Sequence, residues 1–446
     1  FDNSFTVAKS ALFNVVNDEY FSRTFETPTD QDVWTLSWWM KTGNLAAGRG
    51  VFASAALNSS IIYINNVKIY IVFNGSYGFN FPLDDSSQWY NIILTCNGST
   101  LTCYVNGVSR GTSSVAMGDF NSAVAHTIGS YNGDESHFDG YMADFVFVDG
   151  AVHSTSVFGQ TDTSTNRWIP KDPTITLDEA SDFGNNGFYL NFADSSALGD
   201  DISGNNHDFT NNNTVTQSTD SPTTNFNTYD PNESSGTFST GNTISLAGNN
   251  SINIGTLPLH SGKWVFEATG TTASLSAHFV GVAGPLMPTG NGGTQGGLSD
   301  GYMLQNDANL FIDGVDSGAN ASATWTTNDV IRCEIDRDNH TLQWFKNGSS
   351  ILSITNVYDK NWRTCTSYAT FMATTMNSGA TAFAQTPTTG FIAISQDNLA
   401  GTDQFISAFS WIKNRDATDA HMLFDRVRGA TKDMHSNSAT AEVTNV

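Results

Sequence analysis

Through residues 33–150 apolar side chains recur at every second position in short runs. Examples are Val33-Trp34-Thr35-Leu36-Ser37-Trp38-Trp39, Lys68-Ile69-Tyr70-Ile71-Val72-Phe73 and Met142-Ala143-Asp144-Phe145-Val146-Phe147-Val148. Period two places alternate side chains on one face of a strand, so each run predicts a half-buried strand, and strands at this spacing predict a sandwich. Asn97-Gly98 and Asn106-Gly107 mark tight turns, because both residue types accept positive φ. The pattern resumes at Lys263-Trp264-Val265-Phe266-Glu267 and runs through Val330-Ile331-Arg332-Cys333-Glu334-Ile335 and Thr341-Leu342-Gln343-Trp344-Phe345, which predicts a second sandwich. No helical stripe interrupts either region. On this alternation Trp34, Trp38, Trp89, Trp264, Trp344 and Phe345 belong to cores.

Between the two regions the text is rich in Asn, Asp, Ser and Thr and punctuated by Pro170, Pro173, Pro222 and Pro231. It keeps one strand signal, Gly187-Phe188-Tyr189-Leu190-Asn191-Phe192, and is read as a partly ordered connector packed on a neighbour. After about residue 391 basic residues become denser, around Trp411-Ile412-Lys413 and Asp425-Arg426-Val427-Arg428, as at the opening of a further module cut short at Val446. The expected division is therefore 1–170, a sandwich; 171–235, the connector; 236–395, a second sandwich; and 396–446, an extension. The chain opens on Phe1 rather than Met, as a processed or partial product would.

Composition narrows the function. With 19 Lys and Arg against 43 Asp and Glu, the net charge of −24 speaks against nucleic acid as a partner, since phosphate binding needs clustered cations. The dispersed acids are read as a source of solubility. No apolar run reaches the roughly 18 residues a membrane-spanning helix needs, so no membrane insertion is expected. Four cysteines in 446 residues do not make a disulfide framework. Cys96 and Cys103 flank one hairpin and could face each other, with buried thiols the default.

Three signatures resemble known families. Trp34-Thr35-Leu36-Ser37-Trp38-Trp39-Met40-Lys41, Gln88-Trp89-Tyr90-Asn91-Ile92-Ile93-Leu94 and Leu101-Thr102-Cys103-Tyr104-Val105-Asn106-Gly107 stand in the order of the laminin-G-like, concanavalin A-like sandwich, over roughly residues 1–160. Ser261-Gly262-Lys263-Trp264-Val265-Phe266-Glu267, Val280-Gly281-Val282-Ala283 and the hairpin Ile335-Asp336-Arg337-Asp338-Asn339-His340-Thr341-Leu342-Gln343-Trp344-Phe345-Lys346-Asn347-Gly348 resemble a SPRY domain, over roughly 236–395. The joined arrangement, with Trp168-Ile169-Pro170-Lys171 and Leu423-Phe424-Asp425-Arg426-Val427-Arg428-Gly429, is similar to tail-fibre or LamG-containing virion proteins of marine phages. The resemblance implies an all-β chain of tandem antiparallel sandwiches that binds rather than catalyses. It also implies display on a virion surface, made in the host cytoplasm. The expected partners are a host glycan or receptor, or alternatively other virion proteins that it decorates. A homo-oligomer, by analogy a trimer, is expected.

Concanavalin A-like sandwiches include glucanases, whose retaining members place two carboxyls about 5 Å apart. Glu334, Asp336 and Asp338 share one face by alternation, but the segment sits in the SPRY-like hairpin, the turn signal Asp338-Asn339-His340 takes Asp338 out of the strand, and the strand acids are read as solvated. Asp139 and Asp144 are read as turn and strand-edge acids. The histidines are scattered, no nucleophile elbow accompanies them, and no paired Cys or His motif suggests a metal. No catalytic residue and no cofactor are expected, except that Asn132-Gly133-Asp134-Glu135 or Asp200-Asp201-Ile202-Ser203-Gly204-Asn205 could supply oxygens for calcium. The candidate ligand residues lie in rim loops with aromatic faces beside amides and acids: Tyr77 and Phe79, Tyr131, Asn132, Asp134, Glu135 and His137 in the first sandwich, and Asp300 after the Gly-rich loop 290–297 in the second.

Overall fold

The computed structural model describes residues 5–43, 48–54, 61–65, 68–73, 76–83, 85–114, 120–131, 133, 136–163, 165–246, 251–271, 277–288, 298–368 and 373–400, together with four strands of the C-terminal segment. Phe1–Asn398 form one compact unit and Leu399–Val446 a second. The chain is nearly all β, as the alternation predicts.

The first sandwich begins with β1 (Ser10–Phe13), β2 (Tyr20–Thr24), β3 (Val33–Thr42), β4 (Arg49–Ser54), β5 (Ile61–Asn65), β6 (Lys68–Phe73) and β7 (Ser76–Pro82). It continues with β8 (Tyr90–Asn97), β9 (Thr100–Val105), β10 (Val108–Ser114), β11 (Ala125–Ile128) and β12 (Gly140–Asp149). One sheet runs β10-β9-β8-β3-β12-β1 and the other β2-β11-β4-β5-β6-β7. Their inner faces meet in an aromatic core of Phe13, Trp34, Trp38, Phe52, Phe120, Phe145 and Phe147. Trp34 and Phe120 rings lie 4.6 Å apart between centroids. Each such ring contributes roughly 1.5–3 kcal/mol by leaving water. Cys96 and Cys103 are buried and free. Their strands set Cys96 opposite Leu101 and Cys103 opposite Leu94, so the two thiols do not face each other.

Past a small ribbon of β13 (Gly159–Thr161) and β14 (Trp168–Pro170), the polar stretch that reads as a connector returns to the first sandwich. β15 (Phe188–Leu190) pairs with β12, β16 (Thr210–Asn212) with β2, and β17 (Thr216–Ser218) with β1. The first sandwich thus draws strands from residues well beyond 170. The reason is that β1, β2 and half of β12 are edges that would otherwise present unpaired N–H and C=O groups.

A bulge in β12 lets one side of that strand take both β1 and β15. Asp144 has φ +44°, and the pairing with β3 shifts between Ala143 and Val146. Gly140–Met142 pair with β1 on one side of the bulge, and Phe145–Phe147 with β15 on the other.

The second sandwich comprises β18 (Thr237–Ser239), β19 (Ile244–Leu246), β20 (Ser251–Ile254), β21 (Lys263–Gly270), β22 (His278–Ala283), β23 (Gly301–Gln305), β24 (Asn309–Ile312) and β25 (Val315–Asn320). Then follow β26 (Val330–Asp336), β27 (Thr341–Lys346), β28 (Ser349–Ile354), β29 (Arg363–Tyr368), β30 (Ala373–Asn377) and the short parallel β31 (Ile392–Ala393). The sheets run β18-β19-β30-β21-β26-β27-β28 and β20-β29-β22-β23-β24-β25. Trp344 is fully buried, and its Nε1 donates to Val280 O at 2.9 Å, tying one sheet to the other. In the C-terminal unit the strands Phe409–Ile412, Met422–Asp425, Lys432–His435 and Val443–Thr444 form an antiparallel meander.

Segment 220–229 leads from one sandwich to the other, and both its ends are pinned in buried polar sites. Lys41, on central strand β3, is 1% exposed and donates to Asp220 Oδ2 at 2.9 Å, Asn225 Oδ1 at 2.9 Å and Phe226 O at 2.7 Å. Three acceptors thus meet the three N–H donors of one ammonium. Trp89 Nε1 donates to the other Asp220 oxygen at 3.0 Å, and Ser10 Oγ to the Asp220 carbonyl at 2.5 Å. At the far end Asn227 donates to Ser378 Oγ and Thr364 Oγ1 and accepts from Leu257 N, all within the second sandwich. Tyr229, fully buried, shares a hydrogen bond with Thr366 at 2.8 Å.

Removing one partner of a buried pair strands the other charge. Lys41→Met is therefore expected to lower the unfolding free energy by about 3–5 kcal/mol, measured by urea titration. A loss below about 1 kcal/mol, the size of an exposed pair, contradicts the burial and full satisfaction described.

Candidate functional site

A concave polar basin of about 800 Å³ lies at one end of the first sandwich. It is lined by Glu26, Thr27 and Thr29 after β2, by Asp149, Gly150 and Ala151 at the end of β12, by Ala180, Ser181, Asp182, Gly184 and Asn185, and by Asn205 and His207. Asp149 organises the floor. It is 2% exposed, and its carboxylate accepts from Thr29 N at 2.7 Å, Asp30 N at 3.2 Å, Asn121 Nδ2 at 2.7 Å and Asn186 N at 3.0 Å.

Four donors on one carboxylate make a structural anchor rather than a reactive acid. Asn186 extends the anchor, accepting from Glu26 N at 2.7 Å and donating to Glu26 O and Asn121 Oδ1. The wall is the short helix α1 (Ala180–Phe183), started by a reciprocal capping box between Glu179 and Asp182 and ended at Gly184. Gly184 has φ +72°, and a Cβ there would stand 1.9 Å from Asp149 O, so only glycine fits.

His207 is held by its backbone N–H on Asp201 Oδ2 and by Nδ1, which meets Gly187 O at 2.9 Å. With Nδ1 donating, the neutral ring keeps Nε2 as an acceptor. Asp201 also accepts from Tyr189 N at 2.8 Å, and the Tyr189 hydroxyl donates to Asp144 Oδ1 at 2.9 Å. Tyr189 thus ties the β12 bulge, through its hydroxyl, to the Asp201 that holds the rim, through its backbone N–H. Around the opening Glu26, Thr27, Thr29, Ser181 and Asn185 are exposed. Carboxylate, amide, hydroxyl and imidazole meet there without any Lys or Arg. Such a rim offers hydrogen bonds to hydroxyl-rich ligands and repels anions.

The residues singled out from sequence fall elsewhere. Tyr77 and Phe79 lie in strand β7 rather than in a loop, opposite Val72 and Ile71, and Phe79 packs against the core. Tyr131 is half-buried. It follows β11 with its backbone against Gly50 of β4, three strands across the sheet from β7, so at about 4.8 Å per strand the two clusters are separated by roughly 14 Å across the sheet. They cannot share one small ligand. His137 is 5% exposed and packs beside Tyr20 with ring centroids 5.8 Å apart, so it is no exposed platform. Asn132, Asp134 and Glu135 lie outside the described residues, as does loop 290–297. Asp300 is 4% exposed, pairs with Lys360 and accepts from Leu286 N at 2.7 Å, which makes it a fastener of the second sandwich.

Of the acids weighed as catalysts, Asp139, Asp144, Glu334 and Asp336 are buried rather than solvated, whereas Asp338 is exposed in the turn after β26. Asp139, read as a turn acid, is 1% exposed and accepts from Thr240 N at 2.9 Å. Asp144 lies within a central strand, not at an edge. Glu334 is 1% exposed, pairs with Arg332 at 3.2 Å and accepts from Thr388 N at 2.7 Å. Asp336 accepts from Asp338 N and Asn339 N just past the end of β26, and Asp338 from Gly262 N. Asp201, a suggested calcium ligand, spends its oxygens on Tyr189 N, Ser203 N, Ser203 Oγ and His207 N. Among the described residues no group of three His, Cys, Asp or Glu is placed to hold a metal ion. Nor is any helix among them long and apolar enough to cross a membrane.

The basin escaped the sequence reading because its residues come from four separated segments, two of them in the polar stretch. The only signal was the clustering of Asn-Asn-Gly at 185–187 and Asn-Asn-His at 205–207.

Residues 17–158 match the family model of the concanavalin A-like lectin/glucanases superfamily, and 263–385 match that of the SPRY domain. Residues 383–446 match a domain of unknown function, DUF7483. No curated protein matches the chain. Among solved structures, the SPRY domain of human HERC1 shares 19% identity at a TM-score of 0.30, over 34% of this chain and 99% of that one. The TRIM65 PSpry domain shares 11% at 0.28, over 34% and 89%. A Bacteroides ovatus protein described as a "putative carbohydrate binding protein" shares 16% at 0.34, over 48% of this chain and 60% of that one.

Burial pushes the Asp144 carboxyl up to about 7 from 3.8, against the pull of the Tyr189 hydroxyl. Because the folded value is the higher one, the contribution to stability is present below 3.8 and lost as pH rises through about 7. Burial pushes the His126 and His278 imidazoles down to about 4, so their contribution is lost as pH falls from 6.5 toward 4. Both histidines are retained in Asp144→Asn, and their effect cancels in the difference. The wild type should therefore lose stability relative to Asp144→Asn as pH rises from about 4 to about 7, read by urea titration at each pH. Parallel profiles would contradict it.

Proposed function

We propose that the chain is a non-catalytic attachment protein that holds a hydroxyl-rich ligand, a cell-surface glycan, in the basin of its first sandwich. The observation that carries this reading is the rim itself: Glu26, Ser181, Asn185 and His207 around an organised floor, with no Lys or Arg in its lining and the Arg23 guanidinium behind it, facing Glu26 and Asp201. Carboxylates and amides take paired sugar hydroxyls, and a preformed floor lowers the ordering cost of binding. The match of residues 17–158 to a lectin-containing superfamily supports the same reading. The engagement of Asp149, Asp144, Glu334 and Asp336 in hydrogen bonds and ion pairs speaks against acid-base catalysis. The resemblance of the joined modules to phage virion proteins extends the proposal to display on a virion surface as a receptor-binding homo-oligomer.

A glycan array probed with the whole chain is expected to give saccharide-specific binding. Glu26→Gln and Ser181→Ala should each weaken it about tenfold, the effect of roughly 1.4 kcal/mol. Binding that ignores both substitutions removes the basin from the account, and shortened saccharides after incubation replace attachment by hydrolysis.

A further inference from the structure

A second cavity lies at the seam of the N-terminal unit, apart from the basin and sharing no residue with it. It measures about 180 Å³ and is formed where β14, the Pro222–Thr224 turn and Gln396–Asp397 meet. Its apolar wall is Ile169, Pro170 and Pro222, and its polar wall is Arg167, Gln396 and Asp397. The volume equals roughly six waters at about 30 Å³ each, well short of the roughly 300 Å³ at which drug-sized pockets begin. Only a very small ligand fits.

The arrangement of charge decides which. Arg167 Nη2 donates to Gln396 Oε1 at 2.9 Å, and the same oxygen accepts from Asn225 Nδ2 at 3.1 Å. Gln396 thereby holds the guanidinium at the cavity by one N–H, and among the described residues no other side chain accepts from it, although the Asp162 carboxylate lies within electrostatic range. Asp397 is exposed and has no ion-pair or hydrogen-bond partner among the described residues. An acid and a base thus line one small cavity without pairing with each other. A phosphate or simple carboxylate would face Asp397 unanswered, a simple amine would face Arg167, and a neutral sugar would satisfy neither charge.

We propose that this cavity binds a small zwitterion, a free α-amino acid. Its carboxylate lies on Arg167, its ammonium on Asp397, and its side chain against Ile169, Pro170 and Pro222. A ligand here bridges the β13-β14 ribbon to the end of the second sandwich, so binding also raises the melting temperature of the N-terminal unit.

Calorimetric titration of the full chain with L-alanine and L-leucine tests it, with N-acetyl-L-alanine and L-alaninamide as probes that each lack one charge. The free amino acids should bind, and each blocked form should bind at least tenfold more weakly. Arg167→Gln should weaken L-alanine and abolish the preference over the amide, while Asp397→Asn should abolish the preference over the N-acetyl form. Neither side chain is buried, so both variants should keep the wild-type circular dichroism. No heat with either amino acid, or equal binding of the blocked and free forms, overturns the proposal. Failure of the glycan experiment would leave it intact, because the basin residues take no part.

Discussion

The buried ammonium of Lys41 is the contact on which the arrangement of the N-terminal unit depends. An ammonium out of water is tolerated only when its donors are met, and here Asp220, Asn225 and Phe226 supply one acceptor each. All three acceptors belong to the segment that leaves the first sandwich, so satisfying the charge fixes the course of that segment. Asn227 and Tyr229 then fix its other end inside the second sandwich. A stretch of polar residues between prolines, with the composition of a loose tether, is thereby held as firmly as a core strand.

The same logic accounts for the polar region before it. A sheet edge must be paired, covered or charged, and β15, β16 and β17 pair the free edges of β12, β2 and β1. In returning to the sandwich they carry Asn185, Asn186, Asn205 and His207 to the end where Asp149 finishes β12. The basin is thus a consequence of edge protection.

Period two and the Asn-Gly turns made the strands, the sandwich class and the tryptophan cores legible, since Trp34, Trp38, Trp264 and Trp344 lie where alternation puts them. Alternation reports which face of a strand is apolar, however, and says little about a polar residue that is buried. Asp139, Asp144 and Asp300 look like surface acids in sequence because their partners, Thr240, Tyr189 and Lys360, are distant along the chain. His137 looked like part of a ligand loop for the same reason. The basin was illegible because none of its four segments forms a motif alone.

Hydrogen exchange across residues 220–229 in the intact chain tests the central claim most directly. If both ends are pinned as described, the amides of Asn225, Asn227 and Tyr229, which donate to Ser221 O, Ile394 O and Asn242 O, should exchange as slowly as those of β3 and β21. Exchange at the rate of an exposed loop, while the two sandwiches stay protected, would show a tether between independent domains and contradict the account.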